Sequence, residues 1–250
     1  MHTDRYVCKN NAMCKSSFFK SKSKHWWQIW SCGHCQTNAS VASDKSAETR
    51  AKILMAAFEE IYQCGFQAAS LNNILKNTNI TKGALYHHFK NKMELGYAVV
   101  DEVIFTTLKA NWIDPLTETD DPISTIQQIL AELGAQMTAE DVRLGCPLNN
   151  LSQEMSPIDE GFRERITAVY SEWQMAVEGA CERGKVAGNL REEADSKQLA
   201  VLFVATLEGC LGLAKTTQSL ETLKQCGGGL IEQLELLRPV KEALIKSIRK

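Results

Sequence analysis

From Ser46 onward the apolar residues of the chain recur at helical spacing. Ile53, Leu54, Ala57, Phe58, Ile61 and Tyr62 follow the i, i+3/i+4 rhythm of one buried helix face. The pattern stops at Cys64-Gly65, where Gly65 suits a left-handed cap. Ser70 is placed to N-cap a second, short helix with Leu71, Ile74 and Leu75 facing inward. That helix runs out in Asn77-Thr78-Asn79-Ile80, and Asn79 tolerates the positive φ of a tight turn. Thr81 then caps a third helix, Lys82 to Phe89. Two short helices joined by a tight turn and packed on a longer first one make a helix-turn-helix.

Further helices are expected behind it. One runs from Lys92 to about Trp112 and ends before Asp114-Pro115, and a second runs from Pro122 to about Met137. A short helix, Pro147 to Met155, follows Gly145, and a long one from Asp159 to Arg183 stops at Gly184. Two more cover Asp195 to Thr216 and Leu220 to Leu237, with Gly227-Gly228-Gly229 an awkward run inside the last. No segment shows the alternation between hairpin turns that marks strands. The fold expected is all-α: an N-terminal three-helix helix-turn-helix domain over 44–92 and a C-terminal helical domain over 93–238. A tail, 239–250, carries apolar Val240, Leu244, Ile245 and Ile248. No run is read as approaching the length of a membrane span.

The third helix carries the chemistry. In ITKGALYHHFKNKMEL, Leu85 and Phe89 lie at i, i+4 and must face inward. Gly83, Ala84, Tyr86 and His87 then fall outside, with Lys82 at the first turn and His88 at the edge of the inner face. Gly83 and Ala84 let the backbone come close to a groove. Lys82 can reach guanine acceptors or a phosphate, and Tyr86 and His87 can bond phosphate oxygens without carrying charge. Any one of these residues alone is ordinary surface; the set together matches a recognition helix in a major groove. Charge agrees. Thirteen basic residues face five acidic ones from Met1 to Lys92, a balance of +8 that leaves −10 for the remainder of a chain of net charge −2. A polyanion partner at one end only is implied.

Residues 1–43 read differently: rich in Ser, Lys and Asn, without a sustained period, and expected to be disordered or a non-native extension. The apolar cluster His25 to Trp30 makes a poor signal-peptide core. Cys8, Cys14, Cys32 and Cys35, near His25 and His34, have only one C-x2-C spacing, so no metal site is expected. Val41 begins a stretch that resembles a natural protein start. Nine cysteines, an odd number spread over a helical chain, argue against a disulfide framework and for a reducing, cytoplasmic compartment.

TKGALYHHFKNKMEL, preceded by SLNNILKNTNI and RAKILMAAFEEIYQCGF, resembles the DNA-binding domain of TetR-family transcriptional regulators from about Glu48 to Leu95. The resemblance implies phosphate contacts from Ser70, Tyr86, His87, His88 and Lys92, and base reading by Thr81, Lys82, Gly83 and Ala84. It departs at Leu75, where the family has a small residue, and at Asn79, where it has glycine. The rear segments GCPLNNLSQEM, FRERITAVYSEW and ACERGKVAGNL resemble one branch of the family more loosely.

That resemblance implies a rear domain that binds a small molecule and forms a homodimer through a four-helix bundle of the last two long helices. Ala200, Phe203, Val204, Leu207, Leu211, Ile231, Leu234 and Leu237 supply apolar surface for it, or for an internal core. Candidate ligand-binding residues are Phe105, Trp112, Met137, Cys146, Trp173, Phe203 and Cys210, all of them types that also build cores. Cys146 sits between Gly145 and Pro147 at a helix start, near Arg143, where a lowered thiol pKa would suit sensing of electrophiles. Two copies of the recognition helix would read a near-palindromic operator in double-stranded DNA. Repression relieved by a small molecule or a thiol-reactive compound is the expected mode, through a shift of the helix Lys92 to Trp112. Activation by the same fold, or a zinc-binding interaction module in the first segment, are the alternatives. No G-x-S-x-G, Walker, H-E-x-x-H or Rossmann pattern occurs, so no enzyme, catalytic residue, cofactor or membrane partner is expected.

Overall fold

The computed structural model describes residues 41–76 and 78–239. All of the regular structure among them is helical. The expected N-terminal cysteine and histidine cluster and the apolar tail positions 240–248 lie outside the described residues.

Three helices form the head: α1 Val41–Cys64, α2 Leu71–Lys76 and α3 Lys82–His88. Ile53, Leu54, Ala57, Phe58 and Ile61 of α1 are buried, and Ile74, Leu85 and Phe89 close the core from the other two helices. Gly65 ends α1 at φ +83° and Asn79 makes the tight turn at φ 55°. Thr81 Oγ1 accepts the N–H of Ala84 at 3.2 Å and so caps α3. At the start of α2, Glu60 of α1 takes both the Ser70 N–H at 3.1 Å and Asn73 Nδ2 at 2.9 Å.

A continuous rod then joins head to body. It consists of α4 Lys92–Ala98, a π-helical stretch Val99–Ile104, α5 Phe105–Leu108, a second π stretch Lys109–Ile113, and α6 Asp114–Glu118. The sequence places its end before Asp114-Pro115; the chain instead stays helical through Pro115. A proline ring clashes with the preceding turn of an α-helix. The π stretch widens that turn, with the Asp114 N–H bonded to Lys109 O, five residues back. Arg183 caps the far end, donating Nε to the Thr119 carbonyl at 2.8 Å and Nη2 to that of Leu116.

The body is completed by α7 Pro122–Gln136, α8 Ala139–Leu144, α9 Pro147–Met155, α10 Glu160–Val186, α11 Ser196–Thr217 and α12 Leu220–Glu235. The sequence reading lacks α8. This six-residue helix starts from a reciprocal pair in which Thr138 and Asp141 satisfy each other's backbone N–H. Gly184 is expected to stop α10, yet the helix passes through it to Val186, and Gly188, at φ +74°, follows its cap. Gly184 is there for close packing: a Cβ would lie 2.7 Å from Pro122 Cδ.

Two further expectations change. First, α11, 22 residues long, is long and apolar enough by length and composition to cross a membrane, contrary to the sequence reading. It is apolar on two sides: Ala200, Phe203, Val204 and Leu207 are buried in the core, while Val201, Leu202 and Leu213 are exposed. Those four buried residues therefore serve the internal core rather than a bundle with a second chain, and Leu211, Leu234 and Leu237 pack against the same core. Second, Cys210 and Cys226 form a disulfide that joins α11 to α12.

Candidate DNA-binding interface and effector core

Leu85 at 0% and Phe89 at 3% exposure lock α3 onto the head, which fixes which side chains turn outward. Thr81, Lys82, Gly83, Tyr86 and His87 are exposed, and Ala84 and His88 are partly buried. Lys82 Nζ lies 5.8 Å from the centre of the Tyr86 ring, so the two share one edge of the helix. A Cβ at Gly83 would meet nothing nearer than Thr81 Oγ1, at 4.0 Å, leaving that turn open to close approach.

His87 and His88 stand edge to face at 5.2 Å between ring centres. Loss of hydration, with His87 and Arg50 beside it, pushes the His88 imidazole below its ordinary pKa. It is thus a neutral hydrogen-bond donor at pH 7. Lys92 is engaged inside the head: its Nζ donates to the Gln67 carbonyl at 3.0 Å and lies 4.8 Å from the Phe66 ring centre.

Beyond α3, four connections that the sequence reading missed tie the head to the body. The Glu154 carboxylate of α9 accepts the N–H groups of Phe66 and Gln67, both at 2.8 Å, in the loop between α1 and α2. Tyr62 donates its hydroxyl to the Gly145 carbonyl at 2.6 Å, and Arg143 donates to Gln63 Oε1 at 2.9 Å. Arg50 pairs with Glu102 of the rod. Gly96 lets the rod pass close to Phe66 and Phe162, since a Cβ there would lie 2.4 Å and 2.7 Å from their ring atoms. Each partner lies tens of residues from the other, so no local pattern announces these contacts.

The seven effector candidates are not brought to one cavity. Trp112, Trp173 and Phe203 pack together in the body, with ring centres 5.3, 5.6 and 6.4 Å apart. Phe203 borders a 20 Å³ apolar void beside Ile126, Val177 and Leu234. Phe105 packs at the edge of the core, and Met137 sits in the turn between α7 and α8. Cys210 is held in its disulfide. A larger groove, about 660 Å³, lies elsewhere, between α1 and the body, lined in part by Tyr62, Arg143, Pro147, Asn150, Glu154 and Lys215.

Six buried side-chain polar atoms among the described residues have no hydrogen-bond partner, and Asn111 Nδ2, Trp173 Nε1 and Glu208 Oε2 are three of them. Asn111 lies in the second π stretch, next to Trp112. Such groups are costly unless something else satisfies them.

Cys146 corrects the sequence reading. Its Sγ lies 3.2 Å from Glu208 Oε1. Burial, and then the Glu208 charge, push the thiol well above its ordinary pKa; the backbone N–H groups of Asn149 and Leu148 at the helix start pull the other way and lose. Cys146 is a neutral thiol, not a poised thiolate. Burial likewise raises the Glu208 carboxyl to about 7.

An exposed polar helix on a three-helix head, carried by a rod on a helical body, is the architecture of a helix-turn-helix transcriptional regulator. Residues 53–99 match the bacterial regulatory proteins of the tetR family, and residues 122–228 match the C-terminal domain of LmrA/YxaF-like transcriptional regulators. An HTH-type transcriptional regulator in the lacX 3' region of Lactococcus lactis subsp. lactis is 30% identical over 176 residues, 70% of this chain and 88% of that protein. A TetR transcriptional regulator from Chloroflexus aurantiacus J-10-FL has a similar structure, at 26% identity and TM-score 0.68, covering 77% of this chain and 96% of that one. So has SmeT, the repressor of the Stenotrophomonas maltophilia multidrug efflux pump SmeDEF, at 25% identity and TM-score 0.58, covering 76% and 89%. The chain belongs to the TetR family of transcriptional regulators.

Proposed function

We propose that this protein is a repressor, working in the cytoplasm, that binds a near-palindromic operator as a homodimer and leaves it when a small molecule enters the body. The observation that carries the reading is the outer face of α3, where Thr81, Lys82, Gly83, Tyr86 and His87 are exposed around a firmly anchored Leu85 and Phe89. Thr81, Lys82, Gly83 and Ala84 meet base edges in the major groove. Ser70, Tyr86, His87, His88 and Lys92 hold phosphates, His88 as a neutral donor and Lys92 after leaving Gln67. The head spans 44–92 and the effector and dimerisation body 93–238. Repression is supported by the structural similarity to SmeT, a repressor.

The effector site is centred on the packed region of Trp112, Trp173 and Phe203, three of the seven candidates. Unpartnered Asn111 Nδ2 and Trp173 Nε1 there favour a ligand that offers hydrogen-bond acceptors. The neutral Cys146 thiol favours reversible binding over reaction with an electrophile. Entry of such a ligand displaces the rod and α9, and the Glu154 and Gly96 contacts pass the displacement to the head.

Fluorescence anisotropy on the DNA upstream of the gene, at several salt concentrations, tests the reading. Binding that survives excess random competitor supports a sequence-specific factor. Binding that ignores sequence and vanishes with salt, there and on a library of genomic fragments, refutes it.

A further inference from the structure

The last helix is unevenly held. In α12 the only buried residue is Leu230. Past Leu230 the helix and its exit are anchored: Leu234 and Leu237 pack on the core, the Arg191 N–H donates to Leu237 O at 3.0 Å, and Arg238 pairs with Asp121 at 3.2 Å. Before Leu230 the helix has the Ser219 cap and a Thr217–Thr222 hydroxyl bond at 3.2 Å in its first turn, with Leu223 and Cys226 only half-buried. Gly227, Gly228 and Gly229 offer no side chains, a Cβ on any of them would meet nothing within 4 Å, and each glycine weakens a helix relative to alanine. Beside this weak run stands the covalent link from Cys226 to Cys210, with Cα atoms 5.7 Å apart. Cys210 is itself 2% exposed on the well-packed α11.

We propose that the Cys210–Cys226 pair is a redox-sensitive pin that sets whether the first half of α12 is ordered, and through it how tightly two chains associate. The second part rests on the homodimer proposed above, whose interface would use the outer faces of α11 and α12. Val201, Leu202 and Leu213 are exposed on α11. Closing the bridge removes two electrons and two protons from the two thiols; a hydroperoxide accepts them, its O–O bond breaking to give water and an alcohol, or two waters from hydrogen peroxide. A dithiol reductant returns both electrons and both protons and becomes a disulfide itself. With the bridge open, 220–229 keeps its cap but loses its one covalent anchor. With the bridge closed, the segment presents a fixed helical face.

The test uses the full chain, either reduced with dithiothreitol or oxidised with stoichiometric hydrogen peroxide, alongside Cys226→Ser. Peptide mapping after alkylation identifies the bond, and amide hydrogen exchange over 220–230 reads the order of the helix. Sedimentation reads association. In the oxidised wild type, exchange over this segment slows by on the order of 10- to 100-fold, the scale expected for closing a short loop, while Cys226→Ser exchanges fast in both conditions. The dimer dissociation constant falls in parallel. Absence of a Cys210–Cys226 bond after oxidation overturns the proposal. So does slow exchange in Cys226→Ser equal to that of the oxidised wild type. If exchange responds but the chain stays monomeric in both states, the pin stands and it is the homodimer that fails. If a stable dimer forms with the same affinity in both states while exchange responds, the regulatory half is overturned and the homodimer stands.

Discussion

Replacing Glu208 with Gln should alter how stability depends on pH, in a direction the burial of this residue dictates. The carboxylate is 7% exposed, its Oε2 has no partner, and burial raises its pKa from 4.5 to about 7. Between those values the folded chain holds a proton that the unfolded chain has released. Stability therefore falls as pH rises through this window and levels off above about 7. At 1.36 kcal/mol per pH unit, the whole effect is about 3 kcal/mol, of which about 2 to 3 kcal/mol falls between about pH 5 and 8.5. Glutamine keeps the shape and an acceptor for the Cys146 thiol but cannot ionise. Glu208→Gln should match the wild type near pH 5 and exceed it by about 2 kcal/mol near pH 8.5. Urea unfolding at fixed protein concentration, followed by far-UV circular dichroism at four pH values, measures this. A constant difference between the two proteins across that range would refute the argument, because it would mean the carboxylate is as well solvated folded as unfolded.

Lys82→Ala should weaken operator binding roughly tenfold or more with no change in melting temperature, since the side chain is exposed and the loss is of a groove contact. Anisotropy and a thermal melt together check both halves. Glu154→Ala strands the N–H groups of Phe66 and Gln67 and should cost about 2 kcal/mol, with faster exchange at those two amides as the signature. Gly96→Ala places a methyl against Phe66 and Phe162 and should destabilise by about 1 to 3 kcal/mol, while the same substitution at Gly134, in open space, should stabilise slightly; denaturant midpoints compare the two.

The head was legible because its signals are local. The period of α1, the Thr81 cap, the positive φ of Asn79 and the inward pair Leu85 and Phe89 all lie within one stretch, and the structure places them as read. The body was legible in class but not in detail. Gly184 reads as a helix stop until Pro122 is known to press on it, and Pro115 reads as a break until the π stretch before it is seen. The reading of Cys146 failed for a similar reason. The helix-start effect is visible in sequence, whereas the stronger influences, burial and then the charge of Glu208, arise from packing with residues as far as 62 positions away. The pairing of Cys210 with Cys226 has a helix–helix geometry that spacing alone does not specify.

The bonds from Glu154 to the loop after α1 have a mechanical consequence. A head carried by the rod alone could swing in any direction. This head is also tethered at a second point, where two backbone N–H groups meet one carboxylate, while the rod is threaded past Phe66 and Phe162 at Gly96. Tyr62 on the Gly145 carbonyl, Arg143 on Gln63 and Arg50 on Glu102 add further points, so the head follows the body as one piece. The recognition helix is thereby carried with the body, and in the proposed homodimer the separation of the two helices would follow the angle between the two bodies. Under the proposed function, a small molecule would need only to turn that angle, as a key turns a bolt, to carry both helices out of phase with the grooves they would occupy.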